Sequence, residues 1–533
     1  MPALSEKLSA AIKSRDDRLI RRRLPESTPS THTEIDFTSN DYLSLSTSPI
    51  LRSAVLSALS KAHHILGSGG SRLLVPTPPH AALEARLCRF LHAEEALLFN
   101  SGFDANVGFF SSIPQPGDVV LYDAHIHASV HDGLRLSQLS PGSALSFAHN
   151  SVSALRRALE KFLRERDDLK AGKASIFVAV ESLYSMDGTI APLVEILECV
   201  EGMLPLGNGY TIVDEAHATG IYGPKGRGLV VALGLEKRVF ARLHTFGKAL
   251  GSSGAVLLTT SLVKDYLLNY ARSVIYTTTL TYANVIAVNC SFDMLENGAA
   301  EVLSAHLLDL CKYFIDLLRP QLKNYPSSLL SLPAHLAEPS LSTIPNLFPE
   351  LASQKPWHPS YASSWGTGPH AKTPPRSKQS SLPSIQNTTS SPSSSQLATP
   401  IIPILTPDPR SLSAFLLSYV PSADPSSAPR SASSSSSLPL SSPSSSPSPS
   451  SSPSTHPKVT IHTKPIFPPT VPPGTSRVRI CLHASHTRED VALLVQGIVS
   501  WADEKTKERR EGKERWEGVV RGVGVRVWME AKL

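Results

Sequence analysis

Tyr210-Thr-Ile-Val-Asp-Glu-Ala-His217 decides the fold. Its first four residues are β-formers in an unbroken run, the pattern of a strand buried on both faces. The run ends in Asp214, Glu215 and His217, so the strand delivers polar side chains at its carboxyl end, where open α/β sheets bind ligands. Working outward, residues 176–180 and 119–122 read as further short strands. Residues 82–90 read as an amphipathic helix and residues 152–166 as a helix with a charged face. Helices alternating with buried strands define an α/β domain. Towards the C-terminus, residues 459–463 and 477–482 read as strands. Residues 487–501 read as a helix with Thr487 as N-cap and acidic residues in its first turn. These elements form a second, smaller unit.

The 533 residues allow two to four folded units. Forty-four prolines in 533 residues is about 8%, against roughly 5% in an average protein, and the excess is concentrated. Residues 431–450 hold 13 serines and four prolines, too little apolar area to offset the entropy of ordering, so disorder is expected there. The same composition marks two insertions, 336–398 and 421–457. Fifty-one basic against 45 acidic residues give +6, too weak an excess to imply a nucleic-acid or membrane partner. Five dispersed cysteines without a CxxC pair point to neither a disulfide framework nor zinc. No apolar run reaches the length of a bilayer span.

Three segments carry chemistry. In residues 241–250, Lys248 follows Gly247 after an apolar approach and precedes Gly-Ser-Ser-Gly. A lysine desolvated among small residues has a lowered pKa and forms Schiff bases, whereas a lysine taken alone is usually a solvated loop residue. Asp214 and His217 stand three apart at a strand end, where a carboxylate suits a pyridinium nitrogen and an imidazole suits a phenolic oxygen. Pyridoxal phosphate needs both. In residues 99–106, Ser101-Gly102-Phe103 turns into a helix whose first N–H groups and dipole favour a phosphate.

In chain order, Ser101-Gly-Phe, residues 123–129 (DAHIHAS), 181–188 (ESLYSMDG), 213–220 (VDEAHATG) and 245–248 (TFGK) strongly resemble the α-oxoamine synthases. These are fold-type I pyridoxal 5'-phosphate enzymes of the class I/II aminotransferase fold that condense an amino acid with an acyl-CoA. The resemblance implies a large, mostly parallel sheet with helices on both faces and a smaller α+β domain. It divides the chain into an N-terminal helical and substrate segment, 1–45, a cofactor domain, 46–290, and a small domain, 291–533, interrupted by the two insertions. Residues 19–25 (LIRRRLP), 37–45 (FTSNDYLSL), 67–71 (GSGGS) and 468–480 (PPTVPPGTSRVRI) are most similar to the branch that joins L-alanine to pimeloyl-CoA in biotin biosynthesis.

Carried over position by position, the resemblance makes Lys248 the covalent anchor of the cofactor and the base at the amino-acid Cα. Asp214 would keep the ring nitrogen protonated and His127 would stack on the ring. Gly102 and Phe103 would offer backbone contacts, while Ser185, His217 and Thr245 would supply polar contacts to the phosphate or phenolic oxygen. Arg21, Asn40, His127, Thr470 and Arg479 would face substrate, with Arg479 forking to the amino-acid carboxylate. Thr277 and Thr278 match the segment that reaches a neighbouring subunit's phosphate, which implies a homodimer with a shared site. Without the resemblance, His125, His127 and His131 read equally as a metal cluster or as three surface imidazoles; no carboxylate or cysteine at ligand spacing accompanies them, and no metal is expected. Arg21 to Arg23 read equally as a solvated basic turn, and Glu181 as structural or close to the reacting carbons.

One departure bears on the acyl substrate. Phe467 precedes the PPTVP string where relatives that take pimeloyl-CoA commonly carry an arginine, and a phenyl ring cannot replace a guanidinium. The same chemistry on another acyl-CoA or amino acid is therefore the second reading, and a silent regulatory subunit the third. The sequence ends Ala531-Lys532-Leu533, similar to the tripeptide read by a peroxisomal receptor, so a peroxisomal matrix enzyme is expected, with the cytoplasm as the alternative.

Overall fold

The computed structural model describes residues 3–18, 20–24, 33–337, 398–420 and 459–530. Apart from residues 336, 337 and 398, the two insertions lie outside the described residues, as do residues 531–533.

Twelve strands are present among the described residues: β1 (Thr33–Asp36), β2 (Glu95–Phe99), β3 (Val119–Asp123), β4 (Ala144–Phe147), β5 (Ile176–Glu181), β6 (Gly209–Asp214), β7 (Ala241–Thr245), β8 (Ala255–Thr259), β9 (Ile401–Leu405), β10 (Val459–His462), β11 (Lys464–Ile466) and β12 (Arg477–Cys481). A seven-stranded sheet runs in the order β2-β8-β7-β6-β5-β3-β4. β7, β6, β5, β3 and β4 pair in parallel, and β8 runs antiparallel to both its neighbours.

Period-two alternation sends successive strand residues to opposite faces. Val178, Val213 and Leu258 enter a large core with the helices Pro78–Leu91, Val152–Glu165, Leu193–Met203 and Tyr282–Glu296. Phe177, Ile212 and Leu257 enter a second core under the helices Gly102–Ser112, Ala128–Leu136 and Ser261–Tyr270. Helices on both faces explain why the strands read as unbroken apolar runs. The motif at 210–217 is β6, at the middle of the sheet.

The smaller unit is an antiparallel sheet, β11-β12-β9, covered by the helix Pro409–Leu417, on which the long helix Arg488–Glu530 packs. Thr487 caps that helix: its Oγ1 accepts from Asp490 N at 3.1 Å while its own N–H donates to Asp490 Oδ2 at 2.8 Å. The expected limit at residue 290 falls inside the helix Tyr282–Glu296, whose buried residues run on from Val285 to Leu295. In the N-terminal segment, β1 pairs in parallel with β10 and so joins the first hundred residues to the last hundred.

Candidate active site

The parallel strands converge on one edge, where β3 ends at Asp123, β5 at Glu181, β6 at Asp214 and β7 at Thr245. Glu181 and Asp214 are register partners. Lys248 lies three residues past β7, on a turn closed by Phe246 N–H to Gly254 O at 2.9 Å and Gly251 N–H to Lys248 O at 3.0 Å. Gly251 has φ +58°, and a Cβ there would meet Ser46 N at 2.7 Å, so this turn needs glycine to pack against residues 45–46.

Burial pushes the Lys248 amine below its ordinary pKa; Asp214 and Glu181 oppose the shift and Arg479 adds to it. A larger share of neutral, nucleophilic amine results. Asp214 is buried and its carboxylate is held at both oxygens: Ala216 N–H donates to Oδ1 and Asn106 Nδ2 to Oδ2, each at 2.9 Å. Burial drives the Glu181 carboxyl well above the carboxylate range, with Asp214 adding and Lys248 opposing, and its Oε1 has no hydrogen-bond partner. Burial thus favours the protonated form of Glu181.

The second amide hydrogen of Asn106 donates to Ser129 Oγ at 3.0 Å, and Ser129 Oγ stands 2.7 Å from His127 Nδ1. Ser129 N–H also donates to that nitrogen, at 3.2 Å, so Nδ1 is an acceptor and the neutral ring carries its proton on Nε2. His127 is exposed at the rim of the site, with its ring edge-on to Phe103 at 6.4 Å. Desolvation at its inner edge lowers its pKa, Asp214 opposes this and Lys248 reinforces it. His217 is buried and held neutral, first by burial and then by the charges of Lys248 and Arg479. Its Nδ1 lies 2.7 Å from the Tyr42 hydroxyl, which is also 3.2 Å from Asn40 Oδ1.

From the small unit, β12 delivers Arg479 into the same place. Its Nη1 donates to Ser185 O at 3.2 Å and its Nη2 to Thr38 O at 3.1 Å, while Nε is buried without a partner among the described residues. At the other end, Ser101 caps the helix Gly102–Ser112 by accepting from Asp104 N–H at 3.1 Å. Gly102 packs close to β7: a Cβ there would lie 3.7 Å from Thr245 Cβ and Oγ1. The N–H groups of Gly102 and Phe103 have no intrahelical acceptor.

These residues fit pyridoxal 5'-phosphate. The set holds an amine of lowered pKa, a carboxylate fixed for a protonated ring nitrogen, two imidazoles of lowered pKa, a helix N-terminus and a buried guanidinium whose Nε has no partner among the described residues.

Two of the expected site residues, Arg21 and Thr470, lie on the surface. Arg21 is exposed and pairs with Asp16 at 2.7 Å; without an apolar anchor, its segment stays on the surface. Thr470 is exposed, its N–H donating to Phe467 O at 3.0 Å. Thr277 and Thr278 sit at the site's rim, where Asn100 Nδ2 donates to Thr277 Oγ1 at 2.9 Å and to Thr278 O at 2.8 Å. The three histidines separate: His125 stacks on His149 at 4.0 Å, His131 packs edge-on to Tyr122, and no group of metal-ligating residues converges among the described residues.

Sequence reasoning missed Asn106, Ser129 and Tyr42. Asn106 is four residues past Gly102, one helical turn along the same face, and that spacing is the signal that was available. Ser129 and Tyr42 carry no signal short of the fold.

The family model for aminotransferase class I and II matches residues 32–334. The chain is 48% identical to an 8-amino-7-oxononanoate synthase of Emericella nidulans over 314 residues, 58% of this chain and 75% of that protein. It is 38% identical to the aminoacyl transferase sphA of Aspergillus fumigatus over 335 residues, 62% of this chain and 71% of the relative. Among solved structures, a serine palmitoyltransferase variant of S. paucimobilis with PLP and myriocin bound superposes with a TM-score of 0.62 over 95% of this chain and 99% of that one. At 19% identity this last likeness is one of fold.

Proposed function

Because the chain belongs to the aminotransferase class I and II family and is an enzyme that uses pyridoxal 5'-phosphate, we propose that it condenses L-alanine with pimeloyl-CoA, releasing CoA and CO2, to form 8-amino-7-oxononanoate. The observation that carries this reading is the meeting of Lys248, Asp214 and His217 with an Arg479 whose buried Nε is unpaired.

When bound, the cofactor supplies an electron sink for negative charge at the amino-acid Cα. Lys248 would hold it through its amine, and that amine, neutral more often than an exposed lysine's, is the group that would take the Cα proton. Asp214 supplies the negative charge that keeps a ring nitrogen protonated, and Asn106 and Ala216 hold that carboxylate in one orientation. Neutral His217 offers a hydrogen bond without adding charge. Arg479 Nε and its cation receive the amino-acid carboxylate. Glu181, at the end of β5 beside Asp214, lies within electrostatic range of Lys248.

The acyl-CoA is the least constrained part. Phe467 lies beneath the Arg410 guanidinium, 5.2 Å from ring centroid to the cation, so a cation is present near the PPTVP turn although residue 467 is not one. The relative named sphA favours a second reading, the same chemistry on a different acyl chain. Exposed Leu66, Leu74 and Tyr276 next to Thr277 and Thr278 support a homodimer with its site at the subunit boundary.

The test is a panel of acetyl-, pimeloyl- and palmitoyl-CoA with L-alanine, glycine and L-serine, scored by CoA release and product mass. The pair L-alanine and pimeloyl-CoA is expected to have the highest kcat/KM. Preference for a long-chain acyl-CoA overturns the first reading in favour of the second, and no CoA release from any pair overturns both.

A further inference from the structure

Arg479 is placed by something other than its own contacts. Both its Nη groups are committed to backbone carbonyls on two separate segments, Ser185 after β5 and Thr38 after β1. Neither acceptor is a carboxylate of this chain, so the direction of the guanidinium follows wherever those two carbonyls are held. Thr38 is fixed locally, because its N–H and hydroxyl both donate to Asp36 Oδ1, at 2.7 and 2.5 Å. Ser185 lies in a turn that closes on itself, Gly188 N–H donating to Tyr184 O and Tyr184 N–H to Thr189 O, each at 3.0 Å.

What ties that turn to β12 lies two residues from Ser185 in the turn and two residues from Arg479 on the strand. Arg477 and Arg479 are separated by one residue on β12 and therefore share a face. Arg477 is 2% exposed. Its Nη1 donates to Met186 O at 3.2 Å and forms a close ion pair with Asp187 Oδ1, while its Nε donates to Thr475 O at 2.9 Å. The other Asp187 oxygen lies 3.1 Å from His125 Nδ1. His125 is stacked on His149, with ring planes 16° apart, and His149 is tied to Asp123 Oδ1 at 2.8 Å and Thr189 Oγ1 at 2.7 Å. Burial alone would raise the Asp187 carboxyl, but His125 and Arg477 outweigh it and hold the pKa at about 2, so the pair stays ionised through the neutral range. Next door, Gly188 has φ +64° and its backbone lies so close to β9 that a Cβ would meet Ile401 O at 2.0 Å. The turn is wedged between β9 and β12, and the Asp187–Arg477 ion pair ties it to β12.

We propose that Asp187 and Arg477 are positioning residues for amino-acid recognition: their ion pair locks the Ser185–Gly188 loop to β12 and so aims Arg479 at the substrate carboxylate. The lock joins the two units of the molecule, since Asp187 belongs to the large sheet's loop and Arg477 to the small sheet. It touches no reacting atom. Loosening it therefore costs recognition of the amino acid and leaves the proton transfers at Lys248 in place. The inference rests on the reading that Arg479 binds the amino-acid carboxylate.

The test uses the holoenzyme and its variants Asp187→Asn, Arg477→Lys, Arg479→Lys and the Asp187→Asn/Arg479→Lys double variant, with L-alanine and the best acyl-CoA of the panel. Cofactor content and Tm are measured alongside. Asp187→Asn is expected to raise the KM for L-alanine roughly tenfold, with kcat changed less than threefold, the KM for acyl-CoA unchanged and the cofactor fully bound. Added to Arg479→Lys, it is expected to change the L-alanine KM less than twofold, because both act through one guanidinium. Arg477→Lys keeps the charge and loses the fork, and is expected to follow the same pattern more weakly; it decides the matter by the same criterion if Asp187→Asn does not fold. If Arg479→Lys leaves the L-alanine KM unchanged, the carboxylate reading itself fails. If Arg479→Lys raises KM and the Asp187 and Arg477 variants do not, or if the Asp187 effect is undiminished in the double variant, the positioning role is overturned.

Discussion

The seven-stranded sheet and the three-stranded sheet build the same site by different means. The large sheet supplies Glu181, Asp214, Thr245 and Lys248 from consecutive strand ends, and each sits within a few residues of a strand terminus that its own local sequence dictates. The small sheet supplies Arg479 from β12, about 230 residues away in sequence from Lys248, through carbonyls on two other segments. The large-sheet groups handle charge and protons. The small-sheet arginine handles recognition. Chemistry therefore depends on short-range structure and substrate selection on long-range docking, and variants on the two sides should separate the two.

The largest effect belongs to the large sheet. Lys248→Ala is expected to lower kcat by several orders of magnitude with the far-UV circular dichroism unchanged, since the amine is both anchor and base. Retained activity would remove this lysine from the site.

Asn106→Leu comes next, and it tests whether short-range structure extends to the helix that faces the sheet. It takes away the donor to Asp214 Oδ2 and to Ser129 Oγ, leaving buried acceptors unpaired at a cost of about 1–3 kcal/mol. Activity is expected to fall roughly ten- to hundredfold, with weakened cofactor retention measured by dialysis. Asn106→Asp restores the size of the side chain but sets a second carboxylate against Asp214, and should be worse.

At the joint between the sheets, acid stability isolates the Asp187 pair. The folded pKa of Asp187 is about 2, against 3.8 as its ordinary value. A depressed folded pKa contributes stability that is complete above the unfolded value and is lost as pH falls through the folded one. The contribution is about 2 kcal/mol, lost between about pH 4 and pH 2. Urea unfolding at pH 5 and pH 2.5 should show a steeper loss in the wild type than in Asp187→Asn. Asp36, held at a similar value by Thr38 and Ser39 against the cost of its burial, leaves a residual slope in both.

The smallest effect is expected from deleting residues 431–450. Their composition offers almost no core, and loop length costs only about 0.6 kcal/mol per doubling. A change in kcat/KM below twofold is expected for every substrate in the panel. A tenfold change in the acyl-CoA KM would show that the small unit's recognition role includes this segment.

Local pattern was sufficient for much of the molecule. The run 210–217 is legible as a buried strand ending in carboxylates because both features are carried by adjacent residues, and β6 is that strand. The helix starting at Gly102 is legible from its serine cap for the same reason. Asp214, His217, Thr245 and Lys248 follow from motifs that are short and continuous. The pairing of β1 with β10 was not legible, because register between strands more than 400 residues apart leaves no trace in either strand's own pattern.

By itself, then, the sequence determined the α/β alternation, the strand ends that carry charge and the lysine among small residues, since each depends on neighbours along the chain. Only the tertiary structure decided that Asn106 and Ser129 orient Asp214 and His127, that Tyr42 meets His217, that Arg21 and Thr470 stay on the surface, and that Asp187 grips Arg477. Those contacts are hydrogen bonds and ion pairs between segments brought together by burial of the common core. Their geometry is set by packing, which acts over distance in space and is indifferent to distance along the chain.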